Sequence, residues 1–353
     1  MFANLSLTVL VAIFVGAAGV VWVAGTKLSS TTDVLSKRFG LGEALGGAVL
    51  LAIATNLPEV AITTSAAMSG ELGVAVGNIL GGIAIQTVVL VFLDRFGIAK
   101  GVSLIHRAAS LKLVVEGLLV ICVLVLAIMA TQLPPMLIAL RLTPGPVMIT
   151  VFWIVGVWTI GHAKRGLPWR ESSSDARPKK AKPKPASRKS PDQSATTKAV
   201  LWFLLAAAAT LIGGVLLERS GTAIAGQIGI SGVLFGATIL AAATALPEVS
   251  TGFASTRLGE YELAVSDILG GNAFLPVLFL LAELISGQAV LPQAQATDIY
   301  LAALGILLTC IYLGGLIFRS KRTIGGIGLD SLMVLVLYVV GMVGLFAIAA
   351  APT

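Results

Sequence analysis

A chain of 353 residues in which 57% of positions are hydrophobic and only 12% charged is too apolar for a soluble globular domain, where about a quarter of residues are charged. The net charge of +7 does not indicate nucleic-acid binding, because the basic excess sits in one polar stretch and in short loops. Two cysteines, Cys122 and Cys310, both inside apolar runs, imply neither a disulfide framework nor a metal site.

A membrane-crossing helix needs about 20 apolar residues. Taken in chain order, such stretches are predicted at 5–26, 40–68, 72–93, 109–131 and 143–162, then at 199–217, 229–256, 262–286, 296–318 and 330–350. The first is not read as a cleaved signal, since no basic residue precedes it and Lys27 follows the apolar run. The fifth is interrupted near its start by Pro144 and Pro146, just after Arg141. Between the fifth and sixth lies a segment rich in Lys, Arg, Pro and Ser, which reads as a disordered tether. Its basic run also suits anionic lipid headgroups. The expected organisation is residues 1–163 as one unit of five spans, 164–198 as a basic cytoplasmic linker, and 199–353 as a second unit of five.

Basic residues accumulate in cytoplasmic loops. Ten spans with both termini outside place 22 of the 24 Lys and Arg on the cytoplasmic side and leave only Arg141 and Arg219 opposite. An omitted or invented span would invert half the chain and destroy that asymmetry. A multi-pass protein of the cell membrane is expected.

Sliding the chain against itself by 189 positions aligns residues 47–85 with 236–274, without a gap, at 19 of 39 positions. Thr, Pro, Glu and Gly fall in register, which hydrophobic bias alone does not produce. With an odd number of spans per half, the second half enters the membrane inverted, so the expected fold is all-α, about ten transmembrane helices in two inverted five-helix repeats.

The second span of each half carries T-x-L-P-E: Thr55, Asn56, Leu57, Pro58, Glu59, and Thr244, Ala245, Leu246, Pro247, Glu248. Proline within a helix frees the carbonyl one turn earlier, and Thr and Glu four residues apart share a face. A hydroxyl, loosened carbonyls and a carboxylate are the hard oxygen ligands that suit calcium and sodium. A carboxylate at mid-bilayer costs roughly 2.5 to 3.5 kcal/mol on insertion scales, so two at equivalent positions call for a compensating cation. The competing readings are a simple kink for the prolines, a hydroxyl bonded to its own helix for the threonines, and a protonated, packed carboxyl for the glutamates. Glu43, Glu116 and Glu283 have no counterpart in the other half and are expected to be interfacial or locally bonded.

The third and eighth spans carry Gly77–Gln86 (GNILGGIAIQ) and Ser266–Leu275 (SDILGGNAFL). Gly81, Gly82, Gly270 and Gly271 permit close helix crossing. Asn78, Gly82 and Gln86 form a polar stripe at intervals of four, expected beside Glu59; its counterpart, Asp267, Gly271 and Leu275, is polar only at its start. Asn56, Asn78, Gln86 and Asp267 thus join Glu59, Glu248, Thr55 and Thr244 as candidate cation ligands.

The paired ATNLPE and ATALPE motifs, followed by GNILGG and SDILGG, resemble the alpha repeats of the sodium/calcium exchanger and wider calcium/cation antiporter superfamily. The resemblance covers about 80 residues, and the ten-span plan with a central linker extends it over the chain. It implies that Glu59 and Glu248 are the central calcium ligands and that Thr55 and Thr244 contribute to flanking sodium sites. Family exchangers usually carry serine where this chain has Asn56 and Ala245, serine again at Gly82 and Gly271, and Asn or Asp at Gln86 and Leu275. Those departures argue for proton coupling or fewer sodium ions, and Gln86 is similar to a glutamine of proton-coupled calcium exchangers.

The expected function is antiport of calcium, or a related divalent cation, against sodium or protons, with no cofactor and no protein partner implied. The alternative is a channel or facilitator on the same scaffold. An intramembrane enzyme is disfavoured, since the only histidines are His106 and His162, no HExxH pair exists, and no serine has a base beside it.

Overall fold

A computed structural model describes residues 2–38, 47–98, 102–136, 142–163 and 193–350 of the protein. Nine helical segments among them are long and apolar enough to cross a membrane, and they coincide with nine of the ten predicted spans. The tenth, 40–68, begins on residues outside those described and continues as α2 (Gly47–Thr55) and α3 (Leu57–Ser69). Arg141, Glu43 and residues 164–192 of the predicted linker also lie outside the described residues.

The remaining helices are α1 (Leu7–Arg38), α4 (Leu72–Phe96), α5 (Leu104–Ala108), α6 (Leu111–Ala130), α7 (Pro144–Ala163) and α8 (Gln193–Ile228). A mixed segment follows: α9 (Gly232–Phe235), a π-helical turn at Gly236–Leu240, α10 (Ala241–Thr244) and α11 (Leu246–Arg257). Then come α12 (Tyr261–Phe274), α13 (Leu278–Ser286), α14 (Ala296–Phe318) and α15 (Leu329–Ala350). A small hairpin, β1 (Thr323–Ile324) and β2 (Ile327–Gly328), precedes α15 and turns on Gly325 and Gly326, both at positive φ. It is pinned to the end of α4 by Asp94, whose carboxylate accepts the Gly328 and Leu104 amides at 2.6 Å each.

Two helices exceed their predicted length. α1 has 32 residues and α8 has 36, against the predicted 5–26 and 199–217. At 1.5 Å per residue they reach about 48 and 54 Å, well beyond a hydrocarbon core of about 30 Å. The polar residues after the first apolar run continue the helix because their hydroxyls bond back to it: Thr26 to the Trp22 carbonyl at 2.7 Å, and Ser30 and Thr31 to Lys27 at 2.9 and 2.8 Å. α8 likewise begins inside the predicted linker. The two long helices pack along each other.

The internal repeat recurs in the backbone. α3 ends on Gly70 at φ 80°, and α11 is followed by Gly259 at φ 79°, its partner at the offset of 189. Both are left-handed positions that favour glycine. Glu71 (φ −87°, ψ 52°) and Glu260 (φ −86°, ψ 59°) then open α4 and α12 alike. The correspondence reaches the long helices too. A side chain on Gly25 of α1 would strike Pro247 of α11, with the ring Cβ at 2.5 Å, and one on Gly214 of α8 would strike Ala61 at 2.6 Å and the Pro58 carbonyl at 2.9 Å, both on α3. These glycines also differ by 189, so the first helix of each half packs on the motif helix of the other.

The third span makes the close crossing expected of Gly81, and its counterpart in the eighth span does not. Gly77 and Gly81 let α4 approach the backbone of Val233 and Ala237, in α9 and the π turn, whereas Gly270 makes only ordinary contact with Ala52. The halves also diverge at α4, which is continuous over 25 residues; its counterpart yields at Pro276 to a 3-10 turn between α12 and α13. Proline supplies no amide for the helical ladder.

Candidate functional site

The site is built on two helix breaks. α2 stops at Thr55 and α3 starts at Leu57, with Asn56 between them at φ −87°, ψ 13°; α10 stops at Thr244 and α11 starts at Leu246, with Ala245 at φ −75°, ψ −1°. Pro58 and Pro247 occupy the first turn after each break, where a missing amide is tolerated. Glu59 and Glu248 follow, each in the first turn of its helix, where the dipole favours negative charge.

Both glutamates are buried and meet at one amide. Gln86 Nε2, from α4, lies 3.3 Å from Glu59 Oε1 and 3.5 Å from Glu248 Oε1, and donates to Asn56 Oδ1 at 3.2 Å. The two carboxylates are therefore no more than two hydrogen-bond lengths apart, although 189 residues separate them in the chain.

The threonines are exchanged between the halves. Thr244 faces Glu59, and Thr55 faces Glu248. Each hydroxyl gives its hydrogen to its own helix, Thr55 to Leu51 and Ala52 at 3.1 and 3.2 Å and Thr244 to Ala241 at 3.2 Å. The back-bonded reading of the threonines and the ligand reading are therefore compatible, because the oxygen lone pairs stay free.

Of the other candidates, Asn56 folds back, its amide donating to the Ala52 carbonyl at 2.6 Å while its oxygen accepts Gln86. It positions Gln86 rather than offering a free oxygen. Asp267 accepts Thr251 Oγ1 at 2.8 Å and faces Thr55. Asn78 is fully buried, and neither polar atom of its side chain has a partner; of the expected polar stripe, only Gln86 bonds Glu59. Unpartnered buried oxygens gather among the candidates: Glu59 Oε2, Glu248 Oε2, Gln86 Oε1, Asp267 Oδ1 and Asn78 Oδ1. Leaving such oxygens unpaired costs about 1 to 3 kcal/mol each, more when charged. A cation is what these unpaired carboxylate and amide oxygens can bind.

The glycines at the two departures are filled reciprocally. A side chain on Gly271 would meet Asn56 Nδ2 at 2.7 Å and Gln86 Oε1 at 3.3 Å, and one on Gly82 would meet Leu275 Cδ1 at 3.3 Å. One flank of the glutamate pair is thus lined by amides and the other is closed by a leucine.

Glu116 and Glu283 are locally bonded, as expected: Glu116 pairs with Lys112 at 3.0 Å and accepts Ser266 at 2.9 Å, while Glu283 accepts Thr143 and Val290. Sequence reasoning passed over two residues. Thr251 lies three residues after Glu248, hence on its helix face, and that spacing was the available signal. Glu218, buried in α8 and bonded to Ser65 of α3 at 2.7 Å, falls beyond the predicted end of its span.

Comparison with known proteins shows what the chain is similar to as a whole. The family profile described as sodium/calcium exchanger protein matches residues 9–161 and 198–347. CaxA of Alkalimonas amylolytica, named as a candidate antiporter, is 26% identical over 308 residues, 86% of this chain and 90% of that protein. Inner membrane protein YrbG of Escherichia coli is 24% identical over 283 residues, 77% of this chain and 78% of that one. Among solved structures, the H+/Ca2+ exchanger CAX superposes with a TM-score of 0.70 at 12% identity, covering 97% of this chain and 85% of its own. The sodium-calcium exchanger NCX_Mj superposes at 0.60 and 15% identity, covering 99% of this chain and all of its own. At these identities the structures attest the fold, an all-α membrane fold.

Proposed function

The chain belongs to the sodium/calcium exchanger protein family, and we propose that it moves a divalent cation, calcium or a close relative, across the membrane in exchange for sodium or protons by alternating access. One observation carries the reading: the equivalent glutamates of the two motifs, Glu59 and Glu248, converge on one buried point and keep unpartnered oxygens there. Membership of an exchanger family sets the intramembrane-enzyme reading aside.

On this reading the divalent ion sits between the two carboxylates, with Thr55, Thr244 and the Gln86 oxygen as neutral ligands and Asn56 holding Gln86. Calcium accepts six to eight oxygens in flexible geometry, so a mixed set from five side chains suits it. Sodium ions or protons that neutralise the same carboxylates exclude the divalent ion. A site carrying bare carboxylates resists exposure to the bilayer during reorientation, so the carrier changes sides only when loaded. We also read residues 1–163 and 199–353 as the two repeats, 164–198 as a cytoplasmic tether near anionic lipid, both termini as outside, and the cell membrane as the location.

The test is flux in liposomes containing the purified protein, comparing calcium, manganese and magnesium under imposed sodium and proton gradients. Counter-ion-dependent divalent flux is expected, and Glu59→Gln and Glu248→Gln should each abolish it in protein that remains folded. Flux indifferent to every counter-ion would indicate a channel, and near-normal flux in either variant would remove the site assignment.

A further inference from the structure

We propose that Thr87 and Asn272 are positioning residues of the site: their hydrogen bond fastens α4 to α12 beside Gln86 and sets the clearance in which the Gln86 amide lies. The inference rests on reading Gln86, Glu59 and Glu248 as the place where the divalent ion binds. Asn272 Nδ2 donates to Thr87 Oγ1 at 3.1 Å, across 185 positions of the chain. Both side chains are buried, Asn272 completely. Thr87 gives its own hydrogen to the Ile83 carbonyl at 2.7 Å, so its oxygen can only accept, which fixes the Asn272 amide as the donor.

The bond sits one residue from the site on each helix. Thr87 follows Gln86 in α4, and Asn272 follows Gly271 in α12. On the neighbouring flank, Gln86 Oε1 lies against the space left by the missing side chain of Gly271, where an added Cβ would be 3.3 Å from it. The separation of α4 and α12 at this level therefore decides how far the Gln86 amide reaches toward the two carboxylates. The ladder of α12 gives way just here. Pro276 has no amide to give the Asn272 carbonyl, and the helix passes into the 3-10 turn at Leu275–Val277. Asn272 ties this last turn of α12 to α4, which runs unbroken from Leu72 to Phe96.

Stability does not account for the pair. Asn272 Oδ1 is buried with no partner, a cost that an apolar side chain would avoid. At the offset of 189, Thr87 corresponds to Pro276 and Asn272 to Ile83, so the symmetric place in the same crossing is given to apolar residues. The side-chain bonds of the pair run to each other and to the Ile83 carbonyl, not to Glu59 or Glu248, so any effect on the ion passes through Gln86.

The experiment is binding of radioactive calcium to the purified full-length protein carrying Asn272→Leu, Gln86→Ala or both, with the melting temperature measured alongside. Asn272→Leu removes the fastener and leaves Thr87 bonded to Ile83. It should weaken calcium binding by about 5- to 30-fold in folded protein, the scale of one buried hydrogen bond lost. Thr87→Ser keeps the hydroxyl and should bind calcium as the wild type does. Thr87→Val should repeat the loss; it changes nothing in α12 and carries the test if Asn272→Leu does not fold. Because the pair acts through Gln86, adding either fastener variant to Gln86→Ala should cause no further loss. A full additional loss in the double variant would overturn the proposal, as would a lowered melting temperature with unchanged calcium affinity, which marks a purely structural bond. Calcium binding indifferent to Gln86→Ala would overturn it by another route, removing the reading of Gln86 on which it rests.

Discussion

The two glycines that replace the family's serines make a sharp test, because they are equivalent in sequence and unequal in the structure. At Gly271 a methyl group would lie 2.7 Å from Asn56 Nδ2 and 3.3 Å from Gln86 Oε1. Asn56 has little room to yield: it is fully buried and its amide is held by the Ala52 carbonyl at 2.6 Å. Gly271→Ala must therefore break that bond or push Gln86 off the carboxylate pair. Overpacking costs about 1 to 3 kcal/mol, and a buried polar group left unpaired costs a similar amount. If that strain falls on the site, calcium affinity drops by about 5- to 150-fold. At Gly82 the methyl group would lie 3.3 Å from Leu275 Cδ1, the far end of a flexible side chain, which can rotate aside. Gly82→Ala should change affinity by no more than about 2- to 3-fold, within the range of a change below 1 kcal/mol. The assay is calcium-dependent flux and calcium binding of both variants, with the double variant Gly271→Ala, Asn56→Ala as a rescue control. Removing the Asn56 side chain makes room, so the double variant should recover part of the loss. Equal effects at the two glycines, or no recovery in the double variant, would refute the packing argument.

Gly25→Ala and Gly214→Ala should each lower the melting temperature of the purified protein, since each methyl meets a rigid proline or its backbone at under 3 Å; about 1 to 3 kcal/mol is expected. Gly16→Ala, with nothing within 4 Å, is the control, and a loss there as large as at Gly25 would show the contacts to be irrelevant. For orientation, a tag at Ser187 should be protected from a membrane-impermeant reagent in intact cells and a tag at Thr353 should react; labelling of Ser187 from outside reverses the proposed topology.

Much of this protein was determined by sequence alone, because the governing features are local or periodic. Apolar runs of span length, the asymmetry of Lys and Arg, and the repeat at 189 positions are properties of the chain itself. They led to nine of the spans now described and to Glu59 and Glu248, the buried pair that meets at the Gln86 amide. Proline at 58 and 247 marked the breaks for the same reason: the missing amide is a property of the residue. Helix length was less legible. Hydropathy ended α1 and α8 where polar residues begin, whereas threonine and serine hydroxyls bonded to the preceding turn carry the helix on, and Ser65 solvates a buried Glu218.

Only the tertiary structure decided who faces whom. That Thr55 serves Glu248 and Thr244 serves Glu59, and that Gly25 and Gly214 each pack against the other half's proline, follow from how the two halves interlock. The same holds for the departures from the family pattern. In sequence Gly271, Asn56 and Gln86 are three separate substitutions, but in space the missing side chain at Gly271 is the room that the Asn56 and Gln86 amides occupy. Such compensation joins residues more than 180 positions apart, and no local propensity encodes a contact at that distance. The physical reason is that burial and hydrogen bonding act between surfaces, and those surfaces come together only when the helices pack.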